Sequence, residues 1–357
     1  MTSRERFRAM LAGDPVDRLW LCPEGLWART EVRWRESGMT DQELGQIGFD
    51  GVDSVNVADM LPPFPHAVLK DEGEKVIFRN RSGQICRGWK DVRAHDPGYQ
   101  VLESPVKDLA SWQELKWRLD PENPAHLEPD WDERVAGWLR SGRPRRLSAG
   151  HSLSIFGYAR ELMGDEIYYY FYDQPQLMHA VMDFLGQRFC RLIERVSAHL
   201  TLDMVFIWED MAYKGAPLIS PSMFREFMLE PTRQVCATAQ RCGAAAVFVD
   251  SDGDVSQLIP LWLEAGVNVI EPFEVAAGMD VNAVCNRFGD GFWMRGGFDK
   301  RALWHGTKEV DVEFKRLQPA LESGRYLVGI DHAVSPEASW ESFRHYAHKK
   351  RCLAHQS

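Results

Sequence analysis

Short apolar segments alternate with longer amphipathic segments along most of this 357-residue chain, and this alternation restricts its possible folds more than any other feature. The longer segments, such as residues 173–199, carry apolar residues at helical spacing. Strands that alternate with helices predict a parallel sheet whose neighbours are joined by crossover helices. The short apolar segments, each bounded by turn or helix-start residues, are the predicted strands: 19–22, 53–57, 146–149, 204–208, 245–249, 267–270, 292–295 and 326–330.

Eight such strands in a chain of this length favour a closed (β/α)8 barrel, also called a TIM barrel. An open, doubly wound sheet is the alternative, but the sequence has neither a Gly-x-Gly-x-x-Gly after the first strand nor a phosphate-binding P-loop. Residues 62–121 interrupt the alternation. Within them VIFRNRSGQICRGW (76–89) predicts a β-hairpin, which we interpret as an insertion after strand 2. We see no linker or repeat and predict one domain over residues 1–357.

The composition excludes several classes of protein. The net charge is −10, and the basic residues are interspersed with acids, which is not typical of a nucleic-acid-binding protein. No run approaches the ~18 apolar residues that cross a membrane, and the N-terminus does not resemble a secretory signal. The seven cysteines are widely spaced, without a Cys-x-x-Cys pair, and are expected to be reduced. We therefore expect a cytoplasmic protein.

Polar and titratable side chains follow each predicted strand. In a TIM barrel the carboxyl ends of all strands meet at the face that carries the active site, so these groups are predicted to line one pocket. Any one of them could instead cap the next helix, as we expect for Asp254. Capping does not explain a histidine beside an acid. The residues are Glu24, Asn56, Asp59, His151, Glu209, Asp210, Asp250, Asp252, Glu271, Arg295, Asp299, Asp331 and His332.

Four long stretches resemble the uroporphyrinogen decarboxylase superfamily. They are TSRERFRAMLAGDPVDRLWL (2–21), FDGVDSVNVADM (49–60), IWEDMAYKGAPLISPSMFREFMLEP (207–231) and GIDHAVSPEASWESF (329–343). The resemblance covers nearly the whole chain and implies a single-domain TIM barrel that is often a homodimer. It also implies one of two activities: decarboxylation of uroporphyrinogen without a cofactor, or transfer of a methyl group to or from a corrinoid protein.

The decarboxylase branch carries an Arg-Gln-Ala-Gly-Arg motif after strand 1, because a substrate with eight carboxylates needs fixed guanidinium groups. This chain has Pro23-Glu24-Gly25-Leu26-Trp27 there, with an acid and no arginine. Asp59 and His332 do match positions that the decarboxylases use. Uroporphyrinogen decarboxylase therefore stays the alternative function, with Asp59 holding the pyrrole N–H groups.

The coenzyme M methyltransferases of the superfamily carry His-x-Cys after strand 5 and a further Cys after strand 8, which bind zinc. Here the corresponding residues are Asp250-Ser251-Asp252 and Asp331-His332, so carboxylates and one imidazole replace thiolates. Such a site favours a substrate whose reacting atom is oxygen or nitrogen. A zinc ion held by Glu209, Asp250, Asp252 and His332 is an open alternative to a site without metal.

We therefore predict a corrinoid-dependent methyltransferase acting on a methoxy-aromatic or tetrahydrofolate-type compound, an O-demethylase in the first case. The cobalamin would arrive on a separate protein, since the chain lacks an Asp-x-His-x-x-Gly corrinoid motif. Glu209, Asp252 and His332 are the candidate acid–base residues. A barrel without chemistry that serves as a binding protein is a third reading. The candidate substrate-binding residues are Glu24, Asn56, Asp59, His151, Glu271, Arg295 and Trp27.

Overall fold

The computed structural model describes residues 1–57, 60–91, 98–127, 130–147, 153–322 and 325–355. The strands are β1 (Asp53–Val55), β2 (Ala67–Asp71), β3 (Lys75–Arg79), β4 (Ile85–Trp89), β5 (Tyr99–Glu103), β6 (Arg145–Leu147), β7 (Met204–Trp208), β8 (Ala212–Tyr213), β9 (Ala216–Pro217), β10 (Ala246–Asp250), β11 (Val269–Glu271), β12 (Trp293–Phe298) and β13 (Tyr326–Ile330).

The helices lie between the strands as the periodicity predicts. Short 3-10 turns join several of them, and a π-helical turn at Phe224–Met228 separates two of them. The α-helices are α1 (Ser3–Ala12), α2 (Ala28–Glu36), α3 (Asp41–Gly45), α4 (Leu109–Leu115), α5 (Trp131–Arg140), α6 (Phe156–Met163), α7 (Ile167–Asp173), α8 (Pro175–Ser197), α9 (Pro221–Met223), α10 (Leu229–Arg241), α11 (Ile259–Ala265), α12 (Val281–Phe288), α13 (Thr307–Arg316), α14 (Gln318–Glu322) and α15 (Trp340–Ala354).

The main sheet has seven parallel strands in the order β1-β6-β7-β10-β11-β12-β13, and helices cover its outer face. The strands β12 and β13 are buried at every position, which is typical of a parallel sheet with both faces covered. A parallel bridge between Leu26 and Val334 brings the segment after residue 22 against the end of β13. The predicted α/β, TIM-barrel-like fold is confirmed.

The predicted first strand, 19–22, is not a strand in the structure, which is a correction. Backbone hydrogen bonds join Leu19 N to Ala354 O at 2.9 Å and Asp50 N to Leu21 O at 2.8 Å, and side chains supply further bonds. The Asp50 carboxylate accepts a hydrogen bond from Leu21 N at 2.8 Å, and the Lys350 ammonium donates one to Cys22 O at 2.8 Å. The Glu24 carboxylate accepts one from Ile330 N at 3.2 Å. Asp50 and Lys350 lie 29 and 328 residues from their partners in this segment, so the local sequence does not reveal these contacts.

The insertion after strand 2 is larger than the predicted hairpin. The strands β2, β3, β4 and β5 form an antiparallel sheet in that order, and β3 and β4 are the hairpin that the sequence predicts. Its turn contains Gly83 with φ of 90°, where a Cβ would lie 2.7 Å from the Phe64 ring. The sheet is attached to α6, since Ser82 and Gln84 donate hydrogen bonds to the side chain and the carbonyl of Glu161.

Two apolar cores hold the fold together. The larger one lies between the sheet and its helices. The smaller one fills the amino-terminal end of the barrel, where α1 packs from below with Phe7 and Met10. Three further ring-bearing or branched side chains, Trp20, Phe248 and Leu327, belong to the same core. Because the amino-terminal end is closed in this way, the open face is the one at the carboxyl ends of the strands. All seven cysteines are free thiols. In the described ranges the helices are too short or too polar to cross a membrane.

Candidate active site

The inward-facing side chains change from apolar to charged toward the carboxyl ends of the strands. Phe206 and Phe248 belong to or pack against the inner core. Since side chains alternate along a strand, Trp208 and Asp250 point inward one step nearer the open face. Asp250 is paired in register with Glu271 of the next strand. Aromatic side chains therefore fill the interior of the barrel, and acidic side chains take their place near the carboxyl ends of the strands.

A network of buried charges lies just below this face. Arg295 donates hydrogen bonds to Glu271 at 2.9 Å and to Glu24 at 3.0 Å. Glu24 also accepts hydrogen bonds from Lys350 and, at 2.6 Å, from the Tyr346 hydroxyl. Burial would raise the pKa of Glu24, but the charges of Lys350 and Arg295 outweigh it and lower the pKa. The predicted substrate-binding residues Glu24, Glu271 and Arg295 are thus brought together, as partners of one another.

Asp250 lies beside this network and holds its proton more readily than an ordinary aspartic acid. Burial raises the pKa of Asp250 well above its usual value, and the nearby carboxylates of Glu271 and Asp252 raise it further, while Arg295 opposes them. A carboxyl group of this kind can donate a proton at the pH where others are ionised. Asp250 is therefore a candidate proton donor.

Asp252 and His332 meet at the open face although 80 residues separate them in the chain. Asp252 Oδ2 lies 3.3 Å from His332 Nε2, and both side chains are about one-third exposed. The hydrogen bond to Asp252 raises the pKa of His332. His332 Nδ1 is buried without a hydrogen-bond partner. The Trp27 ring stands edge-on to the imidazole, with 6.4 Å between ring centroids. A protonated histidine held by a carboxylate is suited to general acid catalysis.

Glu209 is placed differently from the other predicted catalytic residues. Its side chain is buried, and it accepts hydrogen bonds from the backbone N–H groups of Ile155 at 3.0 Å, Phe156 at 2.7 Å and Gly157 at 3.2 Å. These groups form the start of α6, which has no cap of its own. Burial raises the pKa of Glu209, and the three N–H groups oppose that shift. Glu209 therefore caps a helix across 52 to 54 residues of chain.

Other acids at these strand ends also bind the backbone or a cation. Asp331 accepts hydrogen bonds from Val275 N and Lys300 N, both at 2.9 Å, and burial raises its pKa to about 6. Asp210 forms a 2.7 Å ion pair with Arg160. Asp254, expected as a cap, accepts a hydrogen bond from Ser256 N at 3.0 Å. These contacts fix the loops that surround Asp252 and His332.

The four side chains considered as zinc ligands do not form a metal site. Across the described ranges, no group of three or more His, Cys, Asp and Glu side chains could hold a metal ion. Glu209 is directed at the start of α6, and Asp252 is directed at His332. In the described structure these residues therefore do not fit a zinc ion.

Three of the predicted substrate-binding residues are not part of the clusters described above. Asp59 and His151 lie outside the described residues, so their predicted roles stay predictions. Asn56 follows β1 and is exposed. Sequence reasoning missed Lys350 and Tyr346, which reach Glu24 from α15. The only signal for them is their spacing of four residues on one face of a helix, which does not distinguish a buried cation from a surface one.

Two cavities adjoin the open face. A cleft of about 830 Å³ separates the inserted sheet from α6 and α7, and it reaches the barrel at Trp208. A smaller cavity of about 390 Å³ lies inside the barrel, between the inner apolar core and the Glu24–Arg295–Glu271 network. The larger cleft contains none of the acid–base candidates, so its size alone does not make it the reaction site. The position of Asp252 and His332 is a better indication of the reaction site than the size of the cleft.

The comparisons with known proteins agree with this architecture. Residues 150–349, more than half of the chain, match the family described as uroporphyrinogen decarboxylase (URO-D). The chain belongs to the uroporphyrinogen decarboxylase family. For this member of the family no curated protein matches at a significant level.

The solved structures extend the comparison to the whole chain of this URO-D family member. One similar structure is a methyltransferase from Methanosarcina mazei, with a TM-score of 0.64, 13% identity and 99% of each chain covered. At that identity the likeness shows the fold. A mandelate racemase/muconate lactonizing enzyme from Sulfitobacter sp. covers 84% of this chain and 76% of its own, at 11% identity. Its TM-score of 0.29 is too low to support an argument.

Proposed function

We propose that this URO-D family member is a methyltransferase that moves a methyl group between a corrinoid on a separate protein and a small oxygen or nitrogen compound. The methoxy-aromatic and tetrahydrofolate types are the candidate substrates. The observation that carries the proposal is the Asp252–His332 pair at the open face, beside the protonatable Asp250. The similar structure from Methanosarcina mazei is that of a methyltransferase, which supports the same class of reaction.

The charges at the strand ends favour this function over the decarboxylation of uroporphyrinogen. The guanidinium groups found there, Arg160, Arg295 and Arg301, are each paired with acids of the protein. Glu24 stands where a decarboxylase carries arginine, and it binds Arg295. A substrate with many carboxylates would compete with these internal acids for these three arginines. A neutral ether or a pterin has no such requirement.

The residues of this chain would manage a proton during transfer. The corrinoid would supply the cobalt that takes or gives the methyl group. As the bond between methyl carbon and ether oxygen breaks, its electron pair stays on the oxygen, and His332 would donate a proton to that atom. Asp252 would keep His332 charged and oriented before the transfer. In the opposite direction the same pair would accept the proton that a substrate N–H releases.

The test uses the purified protein with free or protein-bound corrinoid. Reduced corrinoid is mixed with a methoxy-aromatic compound, and methylated corrinoid with tetrahydrofolate, while the visible spectrum reports methylation. We expect turnover with one of these classes, and a fall of about 100-fold in Asp252→Asn and His332→Gln. Asp254→Asn, on the same loop, is the control and should react like the unsubstituted protein. No spectral change with either class, or enzymatic release of carbon dioxide from uroporphyrinogen, would overturn the proposal.

A further inference from the structure

The cavity inside the barrel contains an arginine that the described residues leave without an acid partner. Arg146 lies on β6, and the cavity has a volume of about 390 Å³. Arg146 Nε is buried without a hydrogen bond. Its Nη2 lies 3.5 Å from Ser54 Oγ, which is a weak contact, and its guanidinium lies 5.1 Å from the centroid of the Phe206 ring. Within the described ranges, the contacts of this guanidinium are therefore a serine and an aromatic ring rather than a carboxylate.

The other charges that line the cavity satisfy one another. Glu24 and Glu271 both bind Arg295, and Glu24 also binds Lys350. These two acids are therefore matched by two cations before Arg146 is counted. Asp250, next to Glu271, is held toward its neutral form by burial. Arg146 is partly buried and adds a positive charge that nothing in the described part of the cavity compensates, and leaving its buried Nε without an acceptor is costly.

The remaining wall is aromatic. Trp20, Phe206 and Phe248 line the same cavity as Arg146 and Ser54. A volume of about 390 Å³ is near the lower end of the range for small-molecule sites, roughly 300–1,000 Å³, and suits a single substituted ring. An aromatic ring would contact these rings, and a carboxylate on it would reach the guanidinium fork, which matches carboxylate geometry.

We propose that this cavity binds a small aromatic carboxylic acid, with Arg146 and Ser54 holding its carboxylate. This inference rests on the proposed function and narrows it, since the methoxy group would then lie toward Asp252 and His332. Gly25 connects the two regions: it lines the cavity, and a Cβ on it would lie 3.6 Å from the Cβ of Ala333, the residue after His332.

The test is isothermal titration calorimetry of the full chain with benzoate and with its neutral analogue benzamide. A charge-assisted pair with Arg146 should make benzoate bind about tenfold or more tightly than benzamide. Arg146→Gln should abolish that preference and leave benzamide binding unchanged. Arg146→Lys keeps the charge without the planar fork and should retain part of it. Arg143→Gln removes an exposed arginine three residues away and is the control. Thermal unfolding confirms that each variant is folded.

Equal binding of benzoate and benzamide, binding of neither, or unchanged benzoate binding in Arg146→Gln would overturn the inference. A separate methyl-transfer assay with 4-methoxybenzoate and anisole distinguishes it from the proposed function. Binding of benzoate through Arg146 without any methyl transfer would support the carboxylate site and contradict the proposed function. Methyl transfer that proceeds equally well from anisole and from 4-methoxybenzoate would support the proposed function and contradict the carboxylate site at Arg146.

Discussion

Glu209 shows that an acid at a strand end can have a part in holding the fold together. Its carboxylate satisfies three N–H groups at the start of α6. We expect Glu209→Ala to lower the free energy of unfolding by about 2–3 kcal/mol, because buried donors lose their acceptor. Glu209→Gln should lose part of that, since its amide oxygen still accepts hydrogen bonds but its NH2 group cannot. Urea unfolding measures both, with Asp254→Asn as the control. A Glu209→Gln variant that unfolds normally but is inactive would contradict this and indicate catalysis.

The Asp252–His332 pair predicts a direction of pH dependence. Asp252 raises the pKa of His332, so the imidazole stays protonated to a higher pH than an ordinary histidine. As a general acid, His332 should be active below this pKa, and kcat/KM should fall as pH rises through it. In Asp252→Asn the fall should begin at lower pH. Rate profiles measure this, and Asp254→Asn should leave the profile unchanged. An identical profile in Asp252→Asn would show that the carboxylate does not control the histidine.

Single residues could be predicted from the sequence only in part. Asp252 and His332 follow the ends of predicted parallel strands, and that topology alone places them at the same face. The direction of the Glu209 side chain could not be predicted, because the N–H groups that it binds belong to residues 155–157. The same holds for Arg146, whose surroundings come from at least three separate strands and the segment before β1. A sequence shows where such residues lie along the chain but not what each contacts.

At the scale of elements, the buried strands were predicted well, but residues 19–22 were predicted as a strand and are not one. The predicted strands 204–208 and 326–330 have the observed bounds, since each is an apolar run buried on both faces. Residues 19–22 are equally apolar, but Leu21 N donates a hydrogen bond to the Asp50 carboxylate and Cys22 O accepts one from Lys350, in place of pairing with a neighbouring strand. Local composition does not distinguish these cases, because it reports burial and not the source of the hydrogen bonds.

The helix α1 gives a prediction at this scale. Asp203, fully buried before β7, binds Arg4 at 2.8 Å and Arg8 at 2.8 Å and accepts a hydrogen bond from Arg145 N. Asp203→Ala should lower the free energy of unfolding by about 3 kcal/mol, since it leaves buried donors unpaired and loosens α1. The activity of the folded fraction should not change, because the site is at the opposite end of the barrel. Chemical unfolding and a turnover assay measure the two effects.

The control for this prediction is Asp41→Asn. Asp41 is 82% exposed and pairs with Arg35, so its loss should change stability by less than about 1 kcal/mol. Equal losses in the two variants would show that the contacts of α1 with Asp203 do not stabilise the barrel. A loss of activity larger than the loss of folded protein in Asp203→Ala would show that the two ends of the barrel are coupled.

At the scale of the whole molecule, Glu24 joins three distant parts of the chain. Its carboxylate binds Arg295 of β12 and Lys350 of α15, while its own segment precedes α2. Lys350 and Arg295 lower the pKa of Glu24 although burial opposes them. The stability that this gives is present above the pKa of an unfolded Glu, about 4.3, and is lost as pH falls through the lower folded value.

Lys350→Met should therefore destabilise the protein by about 3 kcal/mol at pH 7 and by less at pH 3, because protonation of Glu24 as the pH falls removes the charge that Lys350 neutralises. Urea unfolding at both pH values measures the difference. Lys349→Met is the matched control: Lys349 pairs with the partly exposed Asp311 at 2.6 Å and should contribute less than about 1 kcal/mol. The same loss for both lysines, or a loss for Lys350→Met that does not depend on pH, would contradict the network.

The number of backbone pairs that join neighbouring segments differs around the barrel wall. Five consecutive residue pairs join β7 to β10, whereas in the described chain one bridge at Leu26 and a few side-chain bonds join the 19–27 segment to β13. Because fewer backbone pairs join this edge than join β7 to β10, we expect local opening to cost less here than at β10. Amide hydrogens of this segment should exchange with solvent before those of β10. Because Cys22 and Gly25 form this wall and line the inner cavity, such an opening is a side entrance to it that leaves the remaining sheet intact.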